Sequence, residues 1–229
     1  MNHRPVARIA ILLAACALAA GCATSKPVPE WQSDARSALD DFRRHYLAGD
    51  VKLAERSLVE ARHHVSATGD PAMAARVELI RCAVTTAALD FTPCDSVGES
   101  VLHASGEDRA YAAFVTGNWA GLDRARLPAQ YRGVAARADD GGRLAALRAI
   151  EDPLSRLVAA GALFRQAGLP PEGVEVAVDT ASAQGYRRPL LAWLRTQEKL
   201  ASAAGDSALA DRIRRRIELA GGDAGVRRP

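Results

Sequence analysis

From Trp31 onward, apolar residues recur three or four positions apart with polar residues between them. This is the spacing of amphipathic helices, not the alternation of half-buried strands. Residues 33–48 place Ala35, Leu39, Phe42 and Tyr46 on one face, with Ser33 as N-cap and Gly49 as terminator. Asp50 caps a second helix with the stripe Leu53, Ala54, Leu58, Ala61 and Val65, and Gly69 ends it. Asp70 caps a third helix, with Pro71 at the first helical position, where its missing N–H costs nothing. Met73, Val77, Ile80, Val84 and Ala88 form the stripe of that helix. The Gly-Asp pairs at 49–50 and 69–70 leave loops of one or two residues, so neighbouring helices are expected to pack antiparallel.

The middle of the chain is less regular. A short helix is expected over 96–104, and another over 107–114 with Ala110, Tyr111 and Phe114 on one side. Gly117, Gly121 and Pro128 divide the next stretch, and Asp139-Asp140-Gly141-Gly142 interrupts a helical run over 129–150. Pro153 opens a helix to Gln166, and a further helix runs from after Pro170-Pro171 to Gly185. Pro189 opens the next, with Leu190, Trp193, Leu194 and Leu200 inward. A third Gly-Asp pair, 205–206, starts a last helix on Leu209, Ile213 and Ile217, and residues 221–229 read as a tail. No segment alternates for long enough to predict a sheet. The fold class is therefore all-α, with antiparallel helix pairs stacked as an α-solenoid or forming an irregular helical bundle. The 48 alanines fit either form, because small side chains let helices approach closely.

The first 22 residues follow a different pattern. Met1 to Arg8 is short and basic, and Ile9 to Ala20 is an apolar run. Twelve residues at ~1.5 Å each span ~18 Å, well short of a ~30 Å hydrocarbon core. That makes a secretory leader, not a membrane-spanning helix. Ala19-Ala20-Gly21-Cys22 resembles a bacterial lipobox, although the Leu usual three residues before the cysteine stands one place earlier, at Leu18. The resemblance implies cleavage before Cys22, a diacylglyceryl thioether on its sulfur and acylation of its amine. Two or three chains anchor stably where one, at ~0.8 kcal/mol per buried CH₂, does not. Ala23 stands where an Asp would, by the same resemblance, retain the protein at the inner membrane, so the outer membrane is expected. Residues 24–30 (TSKPVPE) read as an extended tether. The expected domains are a signal peptide over 1–21, a lipidated cysteine and tether over 22–30, a helical-repeat domain over 31–220 and the tail.

Composition narrows the partners. Charged residues make up 25% of the 229-residue chain and hydrophobic residues 48%, which excludes wholesale disorder and collagen-like classes. The net charge of +3 falls to about +1 without Arg4 and Arg8, too even for a dedicated nucleic-acid binder. Of the four cysteines, Cys16 leaves with the leader and Cys22 is lipidated. Cys82 and Cys94 remain as one pair, and an exported protein is expected to join them as a structural disulfide. Their spacing is not that of a redox CxxC, and no histidine between them suggests a metal site.

Segments 37–68 and 190–220 resemble tetratricopeptide repeats, with Ala and Gly near the helix-packing positions and the Gly-Asp corner, but without the closing Pro. The layout as a whole resembles uncharacterised lipoproteins of Gram-negative bacteria. The shared features are the lipobox, the Pro-rich tether, Arg81-Cys82, Pro93-Cys94 and the segment Gln184 to Trp193. Neither resemblance implies an activity.

Catalytic signatures are missing from the sequence. There is no G-x-S-x-G, S-x-x-K, H-E-x-x-H, P-loop or G-x-G-x-x-G. The pairs Asp40-Asp41 and Asp139-Asp140 suit helix starts and turns. The adjacent His63 and His64 diverge by ~100° on a helix and do not readily share a metal, His45 and Glu60 notwithstanding. His103 stands alone. No catalytic residue, metal or cofactor is expected. With 27 Arg against 3 Lys, arginine abundance reads chiefly as coding bias. Arg212, Arg215 and Arg216 on the last helix, and Tyr186-Arg187-Arg188 after Gly185, are nevertheless the candidate binding surface. Trp31, Trp119, Trp193, Tyr111, Tyr131 and Tyr186 are chiefly core candidates that would alternatively line a ligand groove. The functional expectation is a lipid-anchored helical interaction protein on the periplasmic face of the outer membrane, with an envelope protein as partner. A carrier of an apolar or lipid-like ligand is the alternative, and a cell-wall hydrolase or its activator is a distant third.

Overall fold

The computed structural model describes residues 28–95, 97–102 and 104–221. The leader, Cys22, most of the tether, Ser96, His103 and the tail from Gly222 lie outside the described residues. The described part is all-helical, with eleven α-helices and no strand among these residues. In chain order they are α1 (Glu30–Ala48), α2 (Val51–Ser66), α3 (Pro71–Thr86), α4 (Val97–Ser100), α5 (Gly106–Val115), α6 (Ala129–Ala136), α7 (Asp140–Arg148), α8 (Pro153–Ala167), α9 (Pro171–Ala183), α10 (Arg187–Ala203) and α11 (Ser207–Leu219). Residues Thr92–Cys94 and Arg124–Arg126 form 3-10 turns. No described helix is long and apolar enough to cross a membrane.

The Gly-Asp corners behave as the sequence predicts. Gly49 sits at φ 94°, where Asp50 N–H reaches back to His45 O and Gly49 N–H to Tyr46 O. The same pair of bonds recurs at Gly205, φ 75°, and in both places a left-handed residue satisfies the last carbonyls of a helix. Leu89 closes α3 in the same way, but it is a non-glycine residue at φ 58°. Asp70, Ser105, Asp139, Asp152 and Asp206 accept from backbone N–H groups at the starts of α3, α5, α7, α8 and α11.

Several boundaries differ from expectation. Helix α1 begins at Glu30, so Ser33 lies inside it. An acid in the first turn favours the earlier start by facing the positive end of the helix dipole. Asp50 occupies the cap position of α2 without a side-chain bond, and Leu53 is 44% exposed instead of joining the stripe. Asp139-Asp140-Gly141-Gly142 does not only break the helical run. Asp139 caps α7 and the other three residues begin it. Helix α10 starts at Arg187, which places Pro189 in its first turn, where no N–H is required.

Two apolar clusters hold the helices together. One joins α1, α2 and one face of α3 through Phe42, Leu47, Leu58, Ala61 and Val77. The other joins the opposite face of α3 to the rest, with Phe114, Leu157, Leu163, Trp193 and Leu194 at its centre. The C-terminal end of α3 is the hub. Gly161 of α8 packs so closely there that a Cβ would lie 2.2 Å from Thr86 O. Trp193 of α10 is fully buried and donates to Ala87 O at 3.0 Å. Cys82 and Cys94 form a disulfide with a Cα–Cα distance of 4.7 Å, closing the loop that follows α3.

Candidate functional site

A cleft of about 610 Å³ opens where α1, α3, α5, α6 and α8 meet. Its apolar floor is Ile80, Ala83 and Val84 of α3 with Leu154 and Val158 of α8. Ala83, Val84 and Val158 are themselves buried core residues, so the cleft is a gap left between packed stripes. Tyr111 of α5 and Tyr131 of α6 form one wall, with ring centres 5.4 Å apart and planes within 17°. Burial raises the pKa of both hydroxyls, and bonds from Ser155, Tyr111 and Gln130 draw that of Tyr131 partly back. Both rings therefore present neutral hydroxyls in ordinary buffers.

Tyr186, from the loop before α10, lines the same cleft. Loss of solvent and the nearby Asp152 raise its pKa, while Arg43 lowers it. Asp152 is already engaged as the cap of α8, accepting from Ser155 N–H at 2.6 Å. Arg43 pairs with Asp40 on its own helix, and Arg44 with Asp41 at 2.8 Å. The cleft thus offers aromatic faces, hydroxyls and an arginine rim, with a single carboxylate held in a structural bond. A second groove of about 430 Å³ runs between α1 and α3, lined by Trp31, Leu39, Met73 and Val77, and shares Arg43 and Ile80 with the cleft.

The structure separates the candidate residues from one another. Tyr186 faces the cleft. Arg187 is exposed and donates to Ala220 O and Gly221 O, at the far end of α11. Arg188 pairs with Asp90 at 3.2 Å and lies over the Tyr46 ring. Arg212, Arg215 and Arg216 are exposed on α11, away from the cleft lining. Trp193 is core, and Trp119 stacks on Phe114 at 5.3 Å. His64 lies 4.0 Å from Asp34, and no group of three or more His, Cys, Asp or Glu among the described residues is placed to hold a metal. The sequence reading missed Arg43, Asp152 and Ser155. Each looks locally like an ordinary helix surface or cap position, and only the tyrosine content hinted at a groove.

No family model, no curated protein and no solved structure matches this chain.

Proposed function

We propose that this chain is a non-enzymatic binding protein of the bacterial envelope. In this reading it is anchored through a lipidated Cys22 at the periplasmic face of the outer membrane and takes a protein partner in the tyrosine-lined cleft. The observation that carries the binding role is the convergence of Tyr111, Tyr131, Tyr186 and Arg43 on one cleft from four distant parts of the chain. Tyrosine and arginine supply large contact area and directional bonds at low entropic cost, which is why they dominate binding hot spots. The only carboxylate in the lining, Asp152, already caps a helix, so the cleft carries no free acid–base pair.

The test is affinity capture of the full chain from envelope extract of its own cells, beside the Tyr186→Ala variant. A partner recovered reproducibly with the wild type and depleted with the variant supports the reading, and no reproducible partner counts against it. Incorporation of a labelled fatty acid that disappears in Cys22→Ser tests the anchor.

The adjoining groove favours a second reading, in which an apolar ligand lies between α1 and α3 against Leu39, Met73, Val77 and Ile80. Native mass spectrometry separates the two, since a co-purified small molecule indicates a carrier.

A further inference from the structure

On a part of the molecule that shares no lining residue with the tyrosine cleft, a separate cavity of about 440 Å³ is walled by Trp119, Arg124, Arg137, Arg143 and Gln166. No Asp or Glu lines it. Arg124 and Arg137 enter no ion pair among the described residues. Arg143 uses its Nε to donate to Arg137 O at 3.0 Å, which fixes the side chain while leaving its terminal nitrogens uncommitted. An acid on which Arg137 and Arg143 act is Asp139. Its carboxyl is held below the usual range, first by the Gly142 N–H that it caps and then by Arg137 and Arg143, so it is committed to the start of α7.

Trp119 is immobilised as a platform. Its indole donates to Phe114 O at 2.9 Å, Phe114 stacks on the ring with planes within 12°, and the Arg143 guanidinium lies 5.8 Å from the ring centre. The Gln166 side chain completes the wall.

We infer that this cavity is an anion site for a phosphate-bearing ligand. Three guanidinium groups exceed what one carboxylate neutralises. They match a phosphate monoester, which carries ~1.5–2 negative charges and three strong acceptor oxygens. The phosphate monoester belongs either to a free small molecule or to a phosphatidic acid head group, and the chemistry at the arginines is the same.

The test titrates the full chain in detergent with inorganic pyrophosphate by calorimetry, and separately measures its co-sedimentation, free of detergent, with phosphatidylcholine vesicles with and without phosphatidic acid. Both are repeated on Arg124→Gln/Arg137→Gln. Saturable pyrophosphate binding that weakens at least tenfold in the variant supports the site and points to a soluble ligand. An increment in vesicle binding that requires phosphatidic acid and is lost in the variant supports it and points to a head group. Everything before residue 28 is common to both proteins and cancels. If the double variant loses helical signal, Arg124→Gln alone replaces it. No binding to either probe, or binding unchanged by the substitutions, overturns the inference.

Discussion

The guanidinium of Arg188 lies 4.2 Å from the centre of the Tyr46 ring, and the two side chains share Asp90 as acceptor, at 3.2 Å and 3.1 Å. Three segments that are remote in sequence, α1, the loop after α3 and the start of α10, are thereby tied at one point. The Arg188 and Asp90 side chains are about one-third exposed, so solvent discounts the ion pair. What remains is a cation–π contact of ~0.5–2 kcal/mol and hydrogen bonds of ~0.5–1.5 kcal/mol each. Arg188→Ala is expected to lower stability by about 1–2 kcal/mol in urea unfolding. Arg188→Lys should lie between it and wild type, because a lysine keeps the charge but not the planar fork. An Arg188→Ala variant as stable as wild type would show the node to be ornamental.

Asp90 belongs to the loop that the Cys82–Cys94 disulfide closes, as does Ala87, whose carbonyl accepts from Trp193. Removing a crosslink across a loop of this size costs about 3 kcal/mol in chain entropy. The prediction concerns coupling. With both cysteines changed to alanine, the loop is free to drift, Asp90 loses its fixed place, and Arg188→Ala has less left to remove. A double-mutant cycle should therefore fall short of additivity by about 0.5–1 kcal/mol. Strict additivity would mean that Leu89, at its left-handed φ of 58°, holds the loop without the disulfide.

Where local chemistry decides the backbone, the sequence was informative. The Gly-Asp corners, Pro71 and Pro153 at helix starts, and the stripe of α3 are readable because a glycine at positive φ, or a proline without an N–H, suits few other places. The cysteine pair was readable from the cysteine count and the expectation of export. The hub around Thr86 was not, since Gly161 looks like a weak point in an apolar helix until α3 is seen against it. Tyr111 and Tyr131 could be named as possible groove residues, but their stacking depends on where α5 and α6 end up, which no local rule fixes. The arginines of α11 drew attention by number, whereas Arg124, Arg137 and Arg143 gain meaning only by facing one cavity.

Two glycines make opposite demands, and substituting each separates packing from backbone strain. At Gly161 a Cβ would meet Thr86 O at 2.2 Å and Thr86 Cγ2 at 2.8 Å, and backbone cannot step aside as a flexible side chain can. Gly161→Ala is expected to cost about 3 kcal/mol or to displace α8 from α3. At Gly185 nothing lies within 4 Å, and only the φ of 65° penalises a side chain. Gly185→Ala should cost about 1 kcal/mol and leave the core unchanged. Circular dichroism melts of the two variants check the ranking, and equal losses would count against a close α3–α8 crossing.

The tyrosines set the alkaline limit of the fold. Burial raises the pKa of Tyr46, Tyr111 and Tyr131 above their ordinary value of 10.0. At Tyr46, Asp90 adds to the rise and Arg188 opposes it. The folded protein therefore keeps phenolic protons that the unfolded chain releases. The contribution is fully present below pH 10 and is lost as pH rises from there toward the folded values. Urea-unfolding free energy should accordingly be unaffected by these groups up to about pH 9.5, then fall by up to ~1.4 kcal/mol per pH unit for each tyrosine still protonated. Tyr46→Phe removes one titrating group and should reduce that slope by about one tyrosine's share, at the small cost of the hydrogen bond to Asp90. Ultraviolet difference spectra at stepped pH, recorded beside the unfolding curves, distinguish this from general charge repulsion: tyrosinate signal from the buried rings should appear together with unfolding rather than before it. A buried-ring signal that titrates near pH 10 in the folded protein would remove the basis for the slope and for the neutral hydroxyls assigned to the cleft wall.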